Sequence, residues 1–287
     1  MNQGSDRIKY VISVVLFGTI GTFLKFADVP SEVVVFWRGA LGSLFVFSYL
    51  AFRHTGIDRD AIKRNLKWLV ISGVTLGVNW IVLFEAYERI SVAVASLCNY
   101  TAPVIFIAIA PLVLGEKLNY KKLPCVAAAF IGIVLVIGIG GAKIESVSGV
   151  FFGFAACACF VLILICNRKL KGIAALDKTL VQLICSAITV LPYVLAINHT
   201  VFIAPNVRSL VIVLLLGLIH TGMGYVFYFG GMGSLPVQSV AILGYMEPVV
   251  AVFCSTFILH EKLNISGWLG AVLVIASAVI SEIIPDN

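Results

Sequence analysis

The sequence predicts an all-α integral membrane protein with ten transmembrane helices, arranged as two inverted five-helix repeats. Three observations lead to this fold class: an apolar composition, ten hydrophobic runs of spanning length, and a motif that occurs twice. Of 287 residues, 61% are hydrophobic and 12% are charged, and the mean hydropathy is +1.07. A soluble domain carries about 25% charged residues, so the composition favours a chain surrounded by lipid.

The hydrophobic runs have the length that a bilayer requires, since a spanning helix takes about 20 residues. They cover roughly 8–27, 31–52, 66–87, 92–114, 121–140, 147–167, 178–198, 208–230, 237–259 and 265–284. No small-residue cleavage site follows the first run, so we predict a retained helix rather than a signal peptide. The seven cysteines lie inside these runs without a CxxC pair, which favours packing over a disulfide or metal role.

One motif occurs twice, 145 positions apart. Residues 100–104 read Tyr-Thr-Ala-Pro-Val, and residues 245–249 read Tyr-Met-Glu-Pro-Val. Each copy is followed by Glu-Lys-Leu-Asn, at 116–119 and 261–264. A repeat in a nearly wholly apolar chain is typical of a secondary transporter, whose halves rock about a shared central site. We place the two halves at 1–142 and 143–287.

Basic residues predict the orientation of the helices. With the N-terminus inside, fourteen of the 20 Lys and Arg residues fall in inside segments, five fall outside, and Arg38 lies within the second run. Cytoplasmic loops carry the excess of Lys and Arg, so both termini are predicted to be cytoplasmic. Because each half has an odd number of spans, the second half is predicted to insert upside down relative to the first.

The paired five-helix repeats, each with a proline in its fourth helix and a Gly/His-Glu-Lys-Leu tail, resemble the EamA-type transporters of the drug/metabolite transporter superfamily. The resemblance covers nearly the whole chain. It implies a transporter of the bacterial inner membrane that exports amino acids, related metabolites or drugs; some relatives import, and other branches exchange nucleotide sugars or phosphorylated sugars. It also implies a central cavity lined by helices 1, 3, 4, 6, 8 and 9, with helices 5 and 10 at the periphery.

Helix 9 carries the main candidate for substrate binding. Gly244, Glu247, Pro248 and Ala251 share one face by their spacing. An unpaired carboxylate at mid-membrane costs roughly 2.5–3.5 kcal/mol on insertion scales, so Glu247 is expected to face protein or water. Two interpretations stay open: a cation or proton site, and a protonated side chain that braces the packing at Pro248.

Helix 4 contains the equivalent positions. The equivalent pairs are Asn99 and Gly244, Tyr100 and Tyr245, Ala102 and Glu247, and Pro103 and Pro248. Only one half therefore has the carboxylate, although the frame is symmetric. Tyr100 and Tyr245 are predicted to approach the substrate from opposite halves, or else to pack and hydrogen-bond between helices. Pro103 and Pro248 are predicted to kink their helices.

Helices 3 and 8 form a second related pair, with Asn79 and Trp80 opposite Gly224 and Tyr225. Tyr228 and His220 share a helix face with Gly224 at a spacing of four residues. Trp80 and Tyr225 are predicted as cavity walls, with an interfacial belt as the alternative. His220 is predicted either to relay protons or to stay neutral and donate to a carbonyl group.

The remaining charged residues in or near the spans are assigned to gating or structure. Arg38 lies about 10 Å from the outer end of helix 2 by helical rise. It is predicted either to extend outward to water, or to pair with Glu85 or Glu32 and hold an outer gate. The Glu-Lys pairs that begin at Glu116 and Glu261 are predicted to cap or pin the next helix.

The sequence lacks the spacings that enzymes need: metal-ligand sets, a nucleophile elbow or a phosphate loop. We therefore predict no catalytic residue, metal or cofactor. A channel requires a ring of like groups, and a nucleotide-sugar exchanger requires several buried basic residues. The expected partners are the lipid bilayer and a small zwitterionic or cationic amino compound, with protons if transport is coupled to them. Nucleic acid is not expected, and a monomer and a homodimer both stay open.

Overall fold

The structure, a computed structural model, describes residues 3–54, 56–114, 120–137, 146–201, 206–232, 235 and 243–284. The first Glu-Lys-Leu-Asn copy, at 116–119, and Lys143 lie outside this part of the chain. Within it, all regular secondary structure is helical, which confirms the predicted all-α class.

The first half of the chain contributes six α-helices. Their bounds are α1 Gln3–Lys25, α2 Ser31–Phe52, α3 Arg59–Arg89, α4 Val92–Tyr100, α5 Ala102–Leu114 and α6 Leu123–Ile137, the last preceded by a 3₁₀ turn at Tyr120–Lys122. The second half begins with α7 Val147–Lys169 and α8 Ala175–Asn198. It continues through α9 Val207–Leu214, a π-helix at Leu215–Met223 and α10 Gly224–Met232, then α11 Met246–Phe257 and α12 Ile265–Ile283.

Six helices of the described residues are long and apolar enough to cross a membrane. They are Gly4–Lys25, Ser31–Phe52, Arg59–Arg89, Val147–Lys169, Ala175–Ile197 and Val207–Gly231. Three shorter apolar helices are Leu123–Gly132, Met246–Phe257 and Ile265–Ser277. The chain is therefore a multi-pass membrane protein, and the count of ten spans stays a prediction.

The predicted fourth and ninth spans are each interrupted beside the repeated proline. Thr101 separates α4 from α5, and α11 begins directly after a turn at Tyr245. Pro103 and Pro248 have no N–H, so neither bonds the carbonyl oxygen four residues earlier. The two interruptions thus lie where the sequence predicts kinks.

The helices of the two halves pack reciprocally. α1 contacts α10 and α11, while its counterpart α7 contacts α3, α4 and α5. Counterparts also meet each other directly: α2 packs on α8, α4 on α11, and α6 on α12. α2 and α8 run antiparallel, because Gly39 lies against Ala187 whereas Gly42, one turn later, lies against Leu183. The polar and aromatic residues between the halves are thereby brought to one interface.

Apolar side chains cover both the interior and the outer surface. Val34, Leu97 and Leu183 are fully buried between helices. Phe52 and Leu112, by contrast, are more than four-fifths exposed. Large apolar groups on the outside are costly in water and favourable against lipid tails, so this surface fits a membrane setting.

Polar contacts close one end of the bundle, which we call the α3–α4 end. The Asp28 backbone N–H donates to the Ser209 hydroxyl at 3.0 Å, and the Trp37 indole N–H donates to the Val201 carbonyl at 2.8 Å. The Glu261 carboxylate accepts a hydrogen bond of 2.8 Å from the Val92 backbone N–H. These contacts join loops from both halves.

The opposite end, where α7 ends and α8 begins, is called the α7–α8 end. Asn65 of α3 exchanges two hydrogen bonds with the Lys171 backbone, at 2.8 and 3.0 Å. The Asp58 backbone N–H donates to the Asp177 carboxylate at 3.2 Å. The start of α3 is therefore fixed to the loop between α7 and α8.

Candidate functional site

A cavity of about 400 Å³ lies between the two halves. Its polar lining is Arg38, Asn79, Ser96, Asn99, Asn167, Lys178, Thr179, Gln182 and Glu247; its aromatic lining is Phe17, Trp80, Phe84, Tyr87, Tyr100, Phe160, Tyr225, Tyr228 and Phe229. The six helices implied by the family resemblance all contribute, as α1, α3, α4, α7, α10 and α11. α2 and α8 contribute as well. The described residues of α6 and α12 do not reach the cavity.

Glu247 is the acidic residue of this cavity. Its carboxylate lies near the Tyr100 hydroxyl in the cavity lining, so the two copies of the repeated motif meet there. Glu247 lies in the first turn of α11, where the helix dipole favours negative charge. Gly18 of α1 packs against the Glu247 backbone: a Cβ at position 18 would lie 2.6 Å from its carbonyl oxygen. α1, α4 and α11 thus hold the carboxyl group in place.

Two asparagines occupy the wall formed by α3 and α4. Asn79 donates to the Asn99 side-chain oxygen at 3.2 Å and to the Ala156 carbonyl at 2.7 Å. Both asparagines are buried. The Tyr87 hydroxyl and the Ser96 hydroxyl lie 3.2 Å apart in the same wall. This side of the cavity therefore presents neutral polar groups that are already oriented by hydrogen bonds.

Arg38 lies in the cavity wall, and its partners differ from those predicted. It is 4% exposed, so it does not extend outward to water. Its Nε donates to the Thr221 hydroxyl at 3.2 Å, and its guanidinium carbon lies 4.3 Å from the centre of the Trp80 ring. A desolvated cation over an aromatic face gains about 2 kcal/mol. The predicted pairing with Glu85 does not occur, because Glu85 forms an ion pair with Arg89.

Aromatic rings form the wall opposite α3. The Tyr225 ring lies 5.3 Å from that of Phe17 and stacks on that of Phe229 at 6.1 Å. The Tyr228 ring lies 5.0 Å from the Tyr10 ring, measured between ring centres. Rings at these separations pack stably against one another, so this wall offers rigid apolar faces with hydroxyl groups between them. The structure thereby brings Trp80, Tyr100, Tyr225 and Tyr228 to one cavity.

Tyr245 does not lie in the cavity wall, in contrast to its predicted approach from the second half. It is 8% exposed and packs against Ala129, Val126 and Val279 of α6 and α12. The backbone turn at Tyr245 places it just before the first residue of α11, whereas Tyr100 is the last residue of α4. The same motif therefore directs the two rings to different surroundings.

His220 also lies outside the cavity. Its Nε2 lies 3.1 Å from the Thr19 hydroxyl, and its Nδ1 lies 3.1 Å from the Leu215 carbonyl oxygen, five residues earlier. The π-helix at Leu215–Met223 shifts the register, so His220 does not share the face of Tyr228 that an α-helical spacing predicts. The contact with a carbonyl group matches the structural interpretation of His220.

Pro248 and Glu85 lie outside the cavity lining. Pro248 is buried in α11, one residue after Glu247. Pro103 lies in α5, where its missing backbone N–H interrupts the helical hydrogen bonding. Glu85 and Arg89 pair near the last turn of α3. Neither Pro248 nor Glu85 is a lining residue.

Three lining residues near the α7–α8 end are absent from the sequence-based candidates: Lys178, Asn167 and Gln182. The count of basic residues assigns Lys178 to an inside segment. Gln182, however, is an amide inside the seventh hydrophobic run, four residues after Lys178. An amide at that helical spacing from a lysine is a signal that both share a face.

The lining suits reversible binding rather than covalent chemistry. In the described part of the chain, no three His, Cys, Asp or Glu side chains are grouped as metal ligands. An ionised carboxylate in a cavity with apolar walls needs a proton or a cation as its partner. Arg38 lines the same cavity as Glu247. The site therefore combines one carboxyl group with the cations of Arg38 and Lys178, neutral amides and aromatic faces.

Comparison with known proteins gives the family of the chain. A family model described as the EamA-like transporter family matches residues 8–138 and again residues 147–282. The uncharacterized transporter YxxF of Bacillus subtilis is 26% identical over 278 residues, covering 96% of this chain and 88% of that protein. The protein RarD of Streptomyces exfoliatus is 28% identical over 273 residues, covering 92% and 84% of the two chains.

Two more distant similarities extend this result. The protein PecM of Dickeya dadantii is 24% identical over 216 residues, covering 74% of this chain and 72% of its own. One solved crystal structure superimposes with a TM-score of 0.70 at 16% identity and covers 96% of this chain and 97% of its own. At that identity, the structural match shows a shared fold.

Proposed function

The chain belongs to the EamA-like transporter family, and we propose that it is a secondary transporter that exports small amino compounds, such as amino acids or amines, across the bacterial inner membrane. Its relatives are named as transporters, which places the activity in the class of membrane transport. The substrate class, the direction and the coupling ion are our proposals.

The meeting of Glu247 and Tyr100 carries this proposal. Glu247 is the acidic residue of the cavity lining, and a cationic amino group satisfies both its carboxylate and the aromatic faces. Trp80 and Tyr225 supply such faces in the same cavity. A polyanionic substrate would instead face Glu247 with like charge, which disfavours nucleotide sugars.

Proton coupling follows from the position of Glu247. The carboxyl group holds either a proton or the amino group of the substrate, and the presence of both is unfavourable because a neutral carboxyl attracts a cation weakly. Binding of the substrate then releases a proton. A proton that rebinds from the opposite side displaces the substrate and returns the carrier.

Alternating access is supported by the reciprocal packing of the two halves. Equivalent helices meet in antiparallel pairs, as α2 and α8 show, and this is the arrangement of inverted repeats whose halves rock about a central site. The α3–α4 end is closed by Glu261 and Val92. The cavity extends to Asn167 and Lys178 at the α7–α8 end, which the distribution of basic residues assigns to the cytoplasm. The substrate therefore enters from the cytoplasm in this conformation.

Counterflow in proteoliposomes tests the proposal. Purified protein is reconstituted in vesicles loaded with unlabelled amino acids or amines, and uptake of the labelled compound is followed. We expect saturable uptake that unlabelled substrate on the far side accelerates. A flux that neither saturates nor responds to counter-substrate indicates a channel, and chemical conversion of the compound indicates an enzyme.

A further inference from the structure

We propose that Lys178 and Asn167 form a second binding position in the same cavity, which accepts the carboxylate of a substrate whose amino group lies at Glu247. Lys178 lies in the first turn of α8, and Asn167 lies in the last turn of α7. Both line the cavity near the α7–α8 end. The amine-binding position at Glu247 rests on the proposed function. The carboxylate-binding position rests instead on the contacts of Lys178 and Asn167.

Lys178 has no acidic partner in the described part of the chain. The ion pairs seen there join Lys9 to Asp6 and Arg89 to Glu85. The adjacent Asp177 is buried and accepts from the Asp58 backbone, so its carboxylate is turned to the loop between α2 and α3. The contact of the Lys178 ammonium is with the Phe229 ring, 5.2 Å from the ring centre.

The position of Lys178 costs helix stability, because a cation in a first turn opposes the helix dipole. Ala174, which caps α8, provides no side-chain acceptor. The first turn therefore combines unpaired backbone N–H groups with a lysine, and both raise the positive potential at this end of the cavity. A half-buried ammonium without a counter-ion is stabilised by an anion that enters from the cavity.

Asn167 adds oriented donors to the cavity lining that contains Lys178. Gln182 donates through Nε2 to the Asn167 Oδ1 at 2.9 Å and to the Ser72 hydroxyl at 2.7 Å. Since Asn167 accepts through its oxygen, its amide nitrogen carries the two donors that remain. A carboxylate accepts such donors together with an ammonium group. The Lys178 ammonium and the Asn167 amide together match the charge of a monoanion. A phosphate dianion requires more positive charge.

Aromatic rings line the same cavity as this position and Glu247. Lys178 contacts Phe229, and the Phe229 ring lies 5.1 Å from that of Tyr228. An extended six-carbon amino acid separates its charged groups by about 7 Å, and hydrogen bonds of about 3 Å at each end extend its reach. We therefore infer that the cavity accepts amino acids whose two charged groups lie far apart, with the methylene chain along these rings.

Three six-carbon probes test the inference: hexanoate, hexylamine and 6-aminohexanoate. Binding to the full-length protein in detergent is measured by titration calorimetry for the wild type, Lys178→Gln and Lys178→Arg. Lys171→Gln is the matched control, because Lys171 is exposed in the neighbouring loop and has the same charge. We expect Lys178→Gln to weaken hexanoate and 6-aminohexanoate about tenfold or more, the size of a hydrogen bond to a charged group.

The same titrations contain the results that overturn the inference. Hexylamine should bind Lys178→Gln as it binds the wild type, and Lys178→Arg should retain hexanoate. Equal binding of hexanoate to the wild type and to Lys178→Gln overturns the carboxylate position. If hexylamine does not bind but hexanoate binding still depends on Lys178, the proposed amine site at Glu247 is overturned. The carboxylate position is supported in that case.

Discussion

The Tyr100 hydroxyl and the Glu247 carboxylate lie near each other in the cavity between the two halves of the chain. Tyr100 ends α4 and Glu247 lies in the first turn of α11, so the contact joins the two helices that the repeated motif interrupts. A movement of one half against the other changes the surroundings of Glu247 directly. This proximity thus connects the carboxyl group of the cavity with the two halves of the chain, which are proposed to rock against each other.

Glu247→Gln should remove the pH dependence of amine binding. An alkylamine stays protonated between about pH 5 and pH 9, since its pKa resembles that of lysine. In the wild type, binding should weaken as the pH falls, because a proton on Glu247 removes the negative charge that holds the amine. Titration calorimetry with hexylamine at several pH values measures both effects. A Glu247→Gln variant with the affinity and pH profile of the wild type would show that Glu247 is a structural brace.

Tyr100→Phe and Tyr245→Phe form a matched pair, because the residues are equivalent in the repeat. Tyr100→Phe removes the hydroxyl near Glu247 and keeps the ring, so amine affinity should fall about tenfold, the size of a hydrogen bond to a charged group. Tyr245→Phe should leave the affinity unchanged, because its ring packs against α6 and α12. The same loss in both variants would contradict the placement of Tyr245 outside the cavity.

The general architecture is readable from the sequence because lipid imposes simple rules. Long apolar runs predict helices, and the interruptions at Thr101 and Tyr245 follow from prolines that have no N–H. The importance of Glu247 is likewise visible, since a lone carboxylate within an apolar run demands a partner. These inferences need only local spacing and the chemistry of single residues.

Side-chain partners are less predictable because they come from distant parts of the chain. Arg38 donates to Thr221, 183 positions away, and no local pattern indicates that contact. His220 leaves the predicted face because a π-helix changes the number of residues per turn. Tyr100 and Tyr245 occupy equivalent positions in the repeated motif but have different surroundings. The symmetry of the sequence does not indicate which of the two copies faces the interface.

Labelling of two introduced cysteines tests the orientation. Lys171→Cys lies in the loop at the α7–α8 end and Lys262→Cys at the α3–α4 end, and both side chains are exposed. A membrane-impermeant maleimide on intact cells should label Lys262→Cys and spare Lys171→Cys, as the excess of basic residues in cytoplasmic loops requires. Labelling of the wild-type protein gives the background signal from the native cysteines. Labelling of both variants from outside would contradict the proposed topology, which also places residues 2 and 287 inside and Lys143 outside.

The last prediction concerns Glu261, which holds the α3–α4 end closed. Its carboxylate accepts from the Val92 backbone N–H and from the Ser255 hydroxyl, and that hydroxyl accepts from the Ala93 N–H at 3.2 Å. Loss of a charged acceptor from these groups costs about 1–3 kcal/mol. Glu261→Gln should therefore lower the apparent melting temperature by several degrees, since 1 kcal/mol corresponds to about 2–4 °C in chains of about this size. Lys262→Gln, at the exposed neighbouring position, is the control.

Glu261→Gln should also expose the cavity to the outside more often. A cysteine at Ser96, which lines the cavity, reports this when an impermeant maleimide is added to intact cells. We expect faster labelling of Ser96→Cys in the Glu261→Gln background than in the wild-type or Lys262→Gln background, because the state closed at the α3–α4 end loses stability relative to its alternative. Unchanged labelling, together with a lowered melting temperature, would show that Glu261 stabilises the fold without controlling access to the cavity.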